Sequence, residues 1–417
     1  MPEDAMKILF VCHRLPYPPN RGGKIRPFNM IRHLSKKHQV VVASLAHTEE
    51  ELKAGSALKE HCDKVLAEVV PNSIRWARAG QALVTNCPSS VAYFWSPELR
   101  RRIEGAALRF HFDAVMVHCA FAAQYALDIP AKFRLLDFGD LDSGKWFDYR
   151  QFRSFPIRYG YGLEARKLRR YEKQLTENFD YCTLTTQGEL EEFKQLNVDK
   201  PSTVIPNGVD ATYFQPHSKP KNSHIIAFVG RMDYFPNIDG ATHFARGIFP
   251  IIRQRVPKAE LWLVGSNPRR AVRDLGVIPG VKVTGHVADI RPYLLAASVT
   301  VAPLRLARGT QNKILESMAM GIPVVATAVA AKGVAAVPGK HLFVADDPAQ
   351  FAGEVSRVLE NETVAKSLAD SARKQVQEAH SWPRSMQVLD SILDNAPEKR
   401  PEEHDLKADS GRVHSVG

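Results

Sequence analysis

Residues 309–326 of this chain read GTQNKILESMAMGIPVVA. This pattern predicts a polar loop, a short helix that ends at Gly321 and Pro323, and a buried strand. The first N–H groups of a helix have no partner within it, so together with the helix dipole they favour a bound anion. Lys313 and Glu316 share one face of this helix. The segment therefore offers a phosphate cradle, a cation and a carboxylate, although an ordinary amphipathic helix with a surface Lys–Glu pair has the same pattern.

Length and composition predict a large soluble protein of two or three domains, with 417 residues of which 44% are hydrophobic. No apolar run reaches the roughly 18 residues of a membrane-spanning helix, and the acidic start does not resemble a signal peptide. The five cysteines are scattered without a CxxC pair, which is typical of reduced core residues. We expect a cytoplasmic protein that is peripheral at the inner face of the cytoplasmic membrane.

Strand and helix patterns alternate along the whole chain, which predicts parallel, doubly wound sheets. A polar stretch at 215–223 has the composition of a linker and divides the pattern in two. The predicted parts are an N-terminal Rossmann-like domain over 1–215, a C-terminal one over 216–380, a helix over 381–396 that packs back on the N-terminal domain, and a disordered tail over 397–417.

A basic and aromatic stretch runs from Lys145 to Lys173 within a chain whose net charge is +11. Such a stretch can meet anionic lipid headgroups, or it can be a solvated helix face with buried aromatic residues. Nucleic acid is the least favoured partner, because no nucleic-acid-binding motif accompanies the charge.

The ordered set of motifs resembles the two-domain GT-B glycosyltransferases, specifically the family 4-like group (glycosyltransferase group 1). The motifs that carry the resemblance are GG at 22–23, IPNGVD at 205–210, FVGR at 228–231, LVG at 263–265, VTGHV at 283–287 and the stretch at 309–325. MDYFPN at 232–237 and TQNK at 310–313 are similar to the sugar transferases associated with exopolysaccharide gene clusters. The resemblance implies two facing Rossmann-like domains with a central cleft.

The resemblance also implies a site for a nucleotide-diphosphate sugar. Arg231 and Lys313 would stabilise the diphosphate leaving group, Glu316 would receive the ribose hydroxyls, and residues 285–287 would touch the nucleobase. The implied donor-binding residues are Gly22, Gly23, Gly230, His286, Val287, Arg308, Gly309, Thr310, Gln311, Asn312 and Glu316.

Two positions depart from the family pattern. Arg308 stands where the family usually has an acidic residue that contacts the donor sugar, and no lysine follows Arg231 within a few residues. Lys313 would supply the missing charge, and Arg308 would contact a phosphate or an acidic sugar.

Polar residues end two predicted strands of the first domain and should face the cleft. His118 is predicted to act in catalysis by binding a donor or acceptor hydroxyl, with a structural histidine as the alternative. Asp137 and Asp140 are candidates for the acceptor side, where a carboxylate acts as a base or simply pairs with Lys145. We expect no required metal or other cofactor, since metal chemistry on paired aspartates belongs to a different transferase fold.

The implied reaction moves a sugar from a nucleotide sugar to a hydroxyl of a glycan or lipid-linked sugar, with retention of configuration. Exopolysaccharide or other cell-surface glycan synthesis is the expected setting. Two alternatives stay open, namely a sugar-nucleotide epimerase on the same fold and a catalytically silent nucleotide-sugar-binding subunit, the latter motivated by Arg308.

Overall fold

A computed structural model describes residues 5–216 and 224–396. It contains a seven-stranded and a six-stranded parallel sheet, each with helices on both faces, which confirms the doubly wound prediction. The predicted boundary near residue 215 borders 217–223, and both this segment and the predicted tail over 397–417 lie outside the described residues. The exact division into domains stays a prediction.

The first sheet has the strand order β3-β2-β1-β4-β5-β6-β7. Its strands are β1 (Lys7–Cys12), β2 (Gln39–Ala46), β3 (Lys64–Val69), β4 (Ala114–His118), β5 (Phe133–Gly139), β6 (Tyr181–Leu184) and β7 (Ser202–Val204). The helices between them are α1 (Gly22–Leu34), α2 (Glu49–Ala54), α3 (Asn72–Gln81), α4 (Ser89–Tyr93), α5 (Pro97–Phe110), α6 (Asp142–Gln151), α7 (Ile157–Glu177) and α8 (Gln187–Lys194). We call this part the N-terminal domain.

The second sheet has the order β10-β9-β8-β11-β12-β13. Its strands are β8 (Ile225–Val229), β9 (Glu260–Val264), β10 (Val281–Gly285), β11 (Val299–Ala302), β12 (Val324–Ala326) and β13 (Phe343–Val344). The helices of this C-terminal domain are α9 (Phe235–His243), α10 (Phe249–Arg255), α11 (Arg270–Arg273), α12 (Arg291–Ala296), α13 (Asn312–Ala319), α14 (Ala328–Ala331), α15 (Pro348–Glu360) and α16 (Glu362–Ala379), and α17 (Trp382–Asp394) follows them.

Strand β1 is buried on both faces, as a central parallel strand requires. Ile8 and Phe10 pack on one side in a cluster with residues of α1 and α17. Leu9 and Val11 pack on the other side in a cluster with residues of α5. Helix α17 therefore completes the core of the N-terminal domain, although it follows the C-terminal domain in sequence.

His380 lies where the chain passes from the C-terminal domain back to the N-terminal domain. Its carbonyl oxygen accepts a hydrogen bond from Val209 N over 2.8 Å. Its Nδ1 lies 2.9 Å from the carbonyl oxygen of Asn207, and its Nε2 accepts from Ala335 N over 2.9 Å. Because Nε2 is an acceptor, the ring is neutral with the proton on Nδ1, and burial lowers its pKa in the same sense. His380 thus links the segment at 207–209, where the chain leaves the N-terminal domain, to its own segment, where the chain returns, and to Ala335 of the C-terminal domain.

Candidate active site

Two helix N-termini face each other across the cleft between the domains. A Cβ built on Gly22, in the first turn of α1, would lie 3.9 Å from Nδ2 of Asn312 in the first turn of α13. The N-cap residues are Arg21 and Gln311, and neither side chain caps its helix. The positive ends of two helix dipoles therefore converge on one point, an arrangement that favours a bound anion.

Gly22 and Gly23, two of the predicted donor-binding residues, lie in the first turn of α1. Neither has a positive φ. An added Cβ would meet its nearest neighbours, Asn312 and His13, at ordinary contact distances of 3.9 and 4.0 Å. No contact among the described residues requires glycine here, so close approach of a ligand to this backbone stays a prediction.

Arg231 follows β8 at the mouth of the cleft. Its Nε and Nη2 donate to the Asp233 carboxylate over 3.1 and 2.5 Å, and the side chain remains 37% exposed. Gly230 is glycine for a packing reason, since a Cβ there would lie 2.7 Å from Nδ2 of Asn237. An anion that binds Arg231 must therefore compete with Asp233.

Lys313 lies in the first turn of α13, and its ammonium group donates to Oδ1 of Asn237 over 2.5 Å. The Asn237 amide in turn donates to the backbone carbonyl of Arg231 over 2.9 Å. Burial lowers the pKa of Lys313 to about 7 and raises the pKa of Glu316 to about 7. Asn237 thus ties together two of the predicted donor residues, although the sequence identified it only as part of a motif.

The loop before α13 presents polar atoms that lack partners. Within the described ranges, Thr310 Oγ1 and Asn312 Oδ1 are buried without a hydrogen bond. Gly309 has a φ of +59°, and a Cβ on it would clash with the carboxylate of Asp140 in the N-terminal domain. Only glycine meets both conditions. The predicted acceptor-side Asp140 and the predicted donor loop are therefore in direct contact.

Arg308 points away from this loop, contrary to the expectation that it contacts a phosphate or an acidic sugar. Its Nε donates to Oδ2 of Asp148 over 2.5 Å, and its Nη1 donates to Glu192 over 2.6 Å and to Glu189 over 3.3 Å. All three carboxylates belong to the N-terminal domain. Gln311 remains with the loop, because its amide donates to the Arg308 carbonyl oxygen over 3.0 Å. Arg308 is therefore an ionic link between the domains.

Helix α6 and the residues that follow it supply further contacts across the cleft. The Tyr149 hydroxyl donates to the Tyr234 hydroxyl over 2.9 Å, and the Arg153 guanidinium lies 4.3 Å from the ring centroid of Phe235. The Lys145 ammonium lies 5.8 Å from the Tyr234 ring centroid. The first part of the basic and aromatic stretch between Lys145 and Lys173 therefore faces the other domain.

His118 ends β4, where its Nδ1 lies 2.7 Å from Oδ2 of Asp137. Asp137 also accepts two hydrogen bonds from Arg26, over 2.6 and 2.8 Å, and one from Thr183 over 2.7 Å. Only 1% of Asp137 is exposed. Both oxygen atoms of this buried carboxylate have protein partners, so Asp137 is placed to orient His118. The sequence suggested instead that Asp137 would contact an acceptor.

Asp142 begins α6 and joins the predicted acidic group, although only Asp137 and Asp140 were named as candidates from the sequence. Burial raises the pKa of Asp142 to about 6, while the Lys145 ammonium, 3.9 Å away, acts in the opposite direction. Asp140 accepts a hydrogen bond from the Thr185 hydroxyl over 2.5 Å. With its pKa raised toward neutral pH, the Asp142 carboxylate is suited to accept a proton.

The predicted nucleobase loop follows β10 in the C-terminal sheet. His286 is exposed and Val287 is half-buried. A surface concavity of about 500 Å³ borders this loop and is lined in part by Pro268, Thr284 and Gly285. The contact of this loop with a base stays a prediction.

No group of three or more His, Cys, Asp or Glu side chains suited to a metal ion occurs in residues 5–216 and 224–396. That the reaction requires no metal stays a prediction. In the same ranges, no helix is long and apolar enough to cross a membrane.

Comparisons with known proteins agree on one fold. The curated relatives include the MMP alpha-(1->4)-mannosyltransferase of Mycolicibacterium hassiacum, which is 26% identical over 56% of this chain and 57% of its own length. They also include the putative teichuronic acid biosynthesis glycosyltransferase TuaC of Bacillus subtilis, 29% identical over 42% of this chain and 46% of its own length. Each match spans less than two thirds of the relative.

Solved structures match over nearly the whole chain. Sucrose-phosphate synthase from Thermosynechococcus elongatus superposes with a TM-score of 0.69 at 16% identity, covering 93% of this chain and 98% of that one. Anabaena HepE in complex with UDP and glucose gives a TM-score of 0.65 at 16% identity, covering 93% and 99%. These likenesses establish the GT-B fold.

Two family models match consecutive parts of the chain. The model for Glycosyltransferase Family 4 matches residues 20–213, and the model for Glycosyl transferases group 1 matches residues 223–361. Their order follows that of the two sheets, with the first match beginning after β1. The chain belongs to the family 4-like glycosyltransferases of group 1.

Proposed function

We propose that this protein transfers a sugar from a nucleotide-diphosphate sugar to an acceptor hydroxyl in cell-surface glycan synthesis. The observation that carries the proposal is the convergence of the α1 and α13 N-termini beside Arg231 and Lys313. Among the relatives, HepE was solved in complex with UDP and glucose, and the name of TuaC associates that protein with teichuronic acid biosynthesis. Both are consistent with the proposal.

The reaction breaks the bond between the anomeric carbon and the diphosphate, whose oxygen keeps the electron pair. The acceptor oxygen bonds to the same carbon and passes its proton to a base in the cleft, a role for which the Asp142 carboxylate is suited. Arg231, Lys313 and the α13 N-terminus stabilise the charge on the departing diphosphate, and removal of one such group raises the barrier by about 2.7–4 kcal/mol. The proposed stereochemical outcome is retention without an enzyme nucleophile.

His118 takes a defined role in this scheme. Because Asp137 holds the Nδ1 proton, Nε2 is the nitrogen that accepts a hydrogen bond from a sugar hydroxyl. The contacts of Arg308 with Asp148 and Glu192 hold the domains together around the reacting groups. Exclusion of water by domain closure then limits hydrolysis of the donor.

A donor screen tests the proposal. UDP, GDP and ADP, and their sugars, are added to the protein and the melting temperature is measured. At a hundred times Kd, the ligand that fits stabilises the fold by about 2.7 kcal/mol. The shift should disappear in Lys313→Met and persist in Lys366→Met, which alters an exposed lysine of α16. If no nucleotide at millimolar concentration shifts the melting temperature, the proposal is wrong.

We further propose that the acceptor is presented at an anionic membrane surface. Large apolar side chains are exposed on one part of the N-terminal domain, with Val84 92% and Phe155 78% exposed. The Lys167 ammonium donates to the carbonyl oxygen atoms of Ala82 and Leu83, and so fixes the loop that carries Val84 against α7. Further exposed apolar residues there are Ile74, Trp76, Leu83, Ile157, Tyr159 and Leu163, and the exposed cations are Arg158, Arg166, Arg170 and Lys173.

Apolar side chains among cations suit an interface with anionic lipid, where each cation contributes about 1 kcal/mol near the surface. Co-sedimentation with anionic and neutral vesicles at low and high salt tests this. We expect binding to anionic vesicles only, weakened by salt and by the double change Val84→Glu and Phe155→Glu. The control is Val277→Glu, which alters an 83% exposed valine of the C-terminal domain. Equal sedimentation with both kinds of vesicle would favour a soluble acceptor.

The structure also bears on the two alternative functions. Arg308 motivated the silent subunit, but its guanidinium lies on carboxylates of the other domain rather than in the donor loop. An epimerase would turn over a nucleotide sugar without any acceptor. Assay of each donor with and without acceptor separates the proposed transferase from both alternatives.

A further inference from the structure

Four cations lie near one another beside α1. Arg21 and Lys24 both pair with Glu51, and the Arg21 contact measures 3.4 Å. Arg14 lies close by, because its Nη1 contacts the His47 ring and the His47 backbone N–H donates to the Glu51 carboxylate. The fourth cation, Arg75, comes from α3. Glu51 thus pairs with two of four positive charges in a place largely shielded from water.

Arg75 is the least expected member, because it is 0% exposed. Its Nε donates to the Val70 carbonyl oxygen over 2.9 Å and its Nη2 to that of Ala46 over 2.6 Å. Its Nη1 is buried without any hydrogen-bond partner among the described residues. A buried guanidinium that has an unpaired N–H group and no carboxylate partner lowers the stability of the fold unless a nearby anion compensates its charge.

Arg14 likewise has an uncharged partner. Its Nη1 lies 2.5 Å from Nε2 of His47, the residue that follows the Ala46 carbonyl held by Arg75. Burial, followed by the charges of Arg14 and Arg75, lowers the pKa of His47 to about 3. His47 is therefore neutral and accepts a hydrogen bond from Arg14, so it brings no charge to offset the cations.

The cluster is contiguous with the active site on one side. Arg21 is the N-cap of α1, its Nε is buried without a partner among the described residues, and the charge of Arg231 acts on it across the cleft. His13, the neighbour of Arg14 in sequence, has its ring centroid 6.0 Å from that of His118. An anion held by the cluster would therefore lie beside the reacting groups, on the N-terminal side of the cleft.

On its other side the cluster reaches the exposed apolar surface. The Arg14 guanidinium lies 5.3 Å from the Phe94 ring centroid, and that of Arg75 lies 5.6 Å from the Tyr93 ring centroid. The Tyr93 ring in turn contacts the exposed Trp76, with centroids 5.2 Å apart. A row of aromatic rings thus joins the cations to the surface for which we propose membrane contact.

We propose that Arg14 and Arg21 bind a phosphate or diphosphate group of the acceptor, with the buried charge of Arg75 behind them. This inference rests on the proposed glycosyltransferase function and adds the chemical class of the acceptor. Arginine suits this ligand because its fork of N–H groups matches phosphate oxygen atoms. The phosphate can belong to a lipid-linked diphosphate or to a soluble sugar phosphate, and the experiment must separate these sources.

Calorimetric titration with inorganic phosphate at constant ionic strength tests the site in the full-length protein. We expect a binding component that survives in Arg231→Gln, a change in the donor site, and weakens about tenfold or more in Arg14→Gln, since a hydrogen bond to a charged group is lost. Arg14→Lys should restore part of the affinity. Arg75→Met is the second variant, and circular dichroism establishes that each variant is folded.

Two organic probes separate the sources of the phosphate. Farnesyl diphosphate in detergent represents the lipid-linked class and glucose 1-phosphate the soluble class. Tighter binding of one than of inorganic phosphate, dependent on Arg14, supports the proposal and assigns that class. Phosphate binding that is unchanged in Arg14→Gln, or that disappears in Arg231→Gln, overturns it. The thermal shift caused by nucleotides is measured in parallel. If no nucleotide shifts the melting temperature of the parent protein, that result counts against the glycosyltransferase function rather than against the phosphate site.

Discussion

Arg308 of the C-terminal domain donates a hydrogen bond from Nε to Oδ2 of Asp148 in the N-terminal domain, over 2.5 Å. A second bond from Nη1 to Glu192 measures 2.6 Å, and the Arg308 side chain is only 19% exposed. An ion pair that is largely shielded from water and joins two bodies contributes to the equilibrium between the open and closed forms of the cleft.

Arg308→Gln should therefore shift the protein toward an open form. The loss of the charged hydrogen bonds of Arg308 should cost about 1–3 kcal/mol, which changes the ratio of closed to open molecules by about 5- to 150-fold. Small-angle scattering should show a larger radius of gyration, and donor hydrolysis should rise relative to transfer. Arg357→Gln, which alters a pair within the C-terminal domain, is the control. Identical scattering curves for Arg308→Gln and the parent protein would contradict this assignment.

Asp137→Asn should lower both stability and turnover. The change leaves Arg26 buried without its counter-charge, at a cost of about 3–5 kcal/mol, and it removes the carboxylate that orients His118. Thermal melting and kcat with a donor above KM measure the two effects. Asp128→Asn, at an exposed pair with Arg100, should change stability by no more than about 0.5 kcal/mol. A normal kcat in a folded Asp137→Asn protein would rule out the orienting role.

Binding of a nucleoside diphosphate should take up protons above pH 7. The pKa of Lys313 in the free protein is lowered to about 7, so at pH 8 most molecules carry a neutral lysine. A bound diphosphate favours the charged form and raises this pKa, so about one proton is taken up at pH 8 and fewer at pH 6. Calorimetry in buffers of different ionisation enthalpy measures the uptake. Lys313→Met should abolish it, and equal uptake by that variant would exclude Lys313 as its source.

Asp233→Asn should strengthen the binding of a nucleoside diphosphate. In the structure the Asp233 carboxylate occupies Nε and Nη2 of Arg231, so a diphosphate has to displace it. Removal of this competing charge should lower Kd several-fold, whereas Asp274→Asn, at an exposed pair with Arg270 of α11, should leave Kd unchanged. Equilibrium titration of both variants tests the prediction, and weaker binding by Asp233→Asn would mean that Asp233 orients Arg231 productively.

The sheet strands were largely predictable from sequence, because buried parallel strands are continuous apolar runs. The runs KILFVC, AVMVH and IIAFV form β1, β4 and β8. Strand β3 has no such run, because its sequence KVLAEV places charged residues at the edge of the sheet. The start of helix α1 at Gly22 is also hard to predict, since its first turn contains glycines, which have low helix propensity.

The residues of the site were predictable only where a local motif contained them. Lys313 and Glu316 lie on one helix, and their spacing is visible in the sequence. The partners of Arg308 come from residues 116 to 160 positions away, so only the packing of the two domains reveals them. The cluster around Arg14 was missed for the same reason, because Arg14, Glu51 and Arg75 lie far apart in the sequence and only the fold brings them together.

The double crossing at His380 limits how the two domains can move. The chain leaves the N-terminal domain at Asn207 and Val209 and returns to it through His380, and hydrogen bonds hold the two crossings side by side. Gly208 packs so tightly against Trp382 that a Cβ would lie 2.5 Å from its backbone nitrogen. Sliding or twisting of one domain against the other would break these contacts, whereas bending about the crossing preserves them. We therefore expect the cleft to open mainly by bending about this crossing, so that a single interdomain angle describes how far it is open.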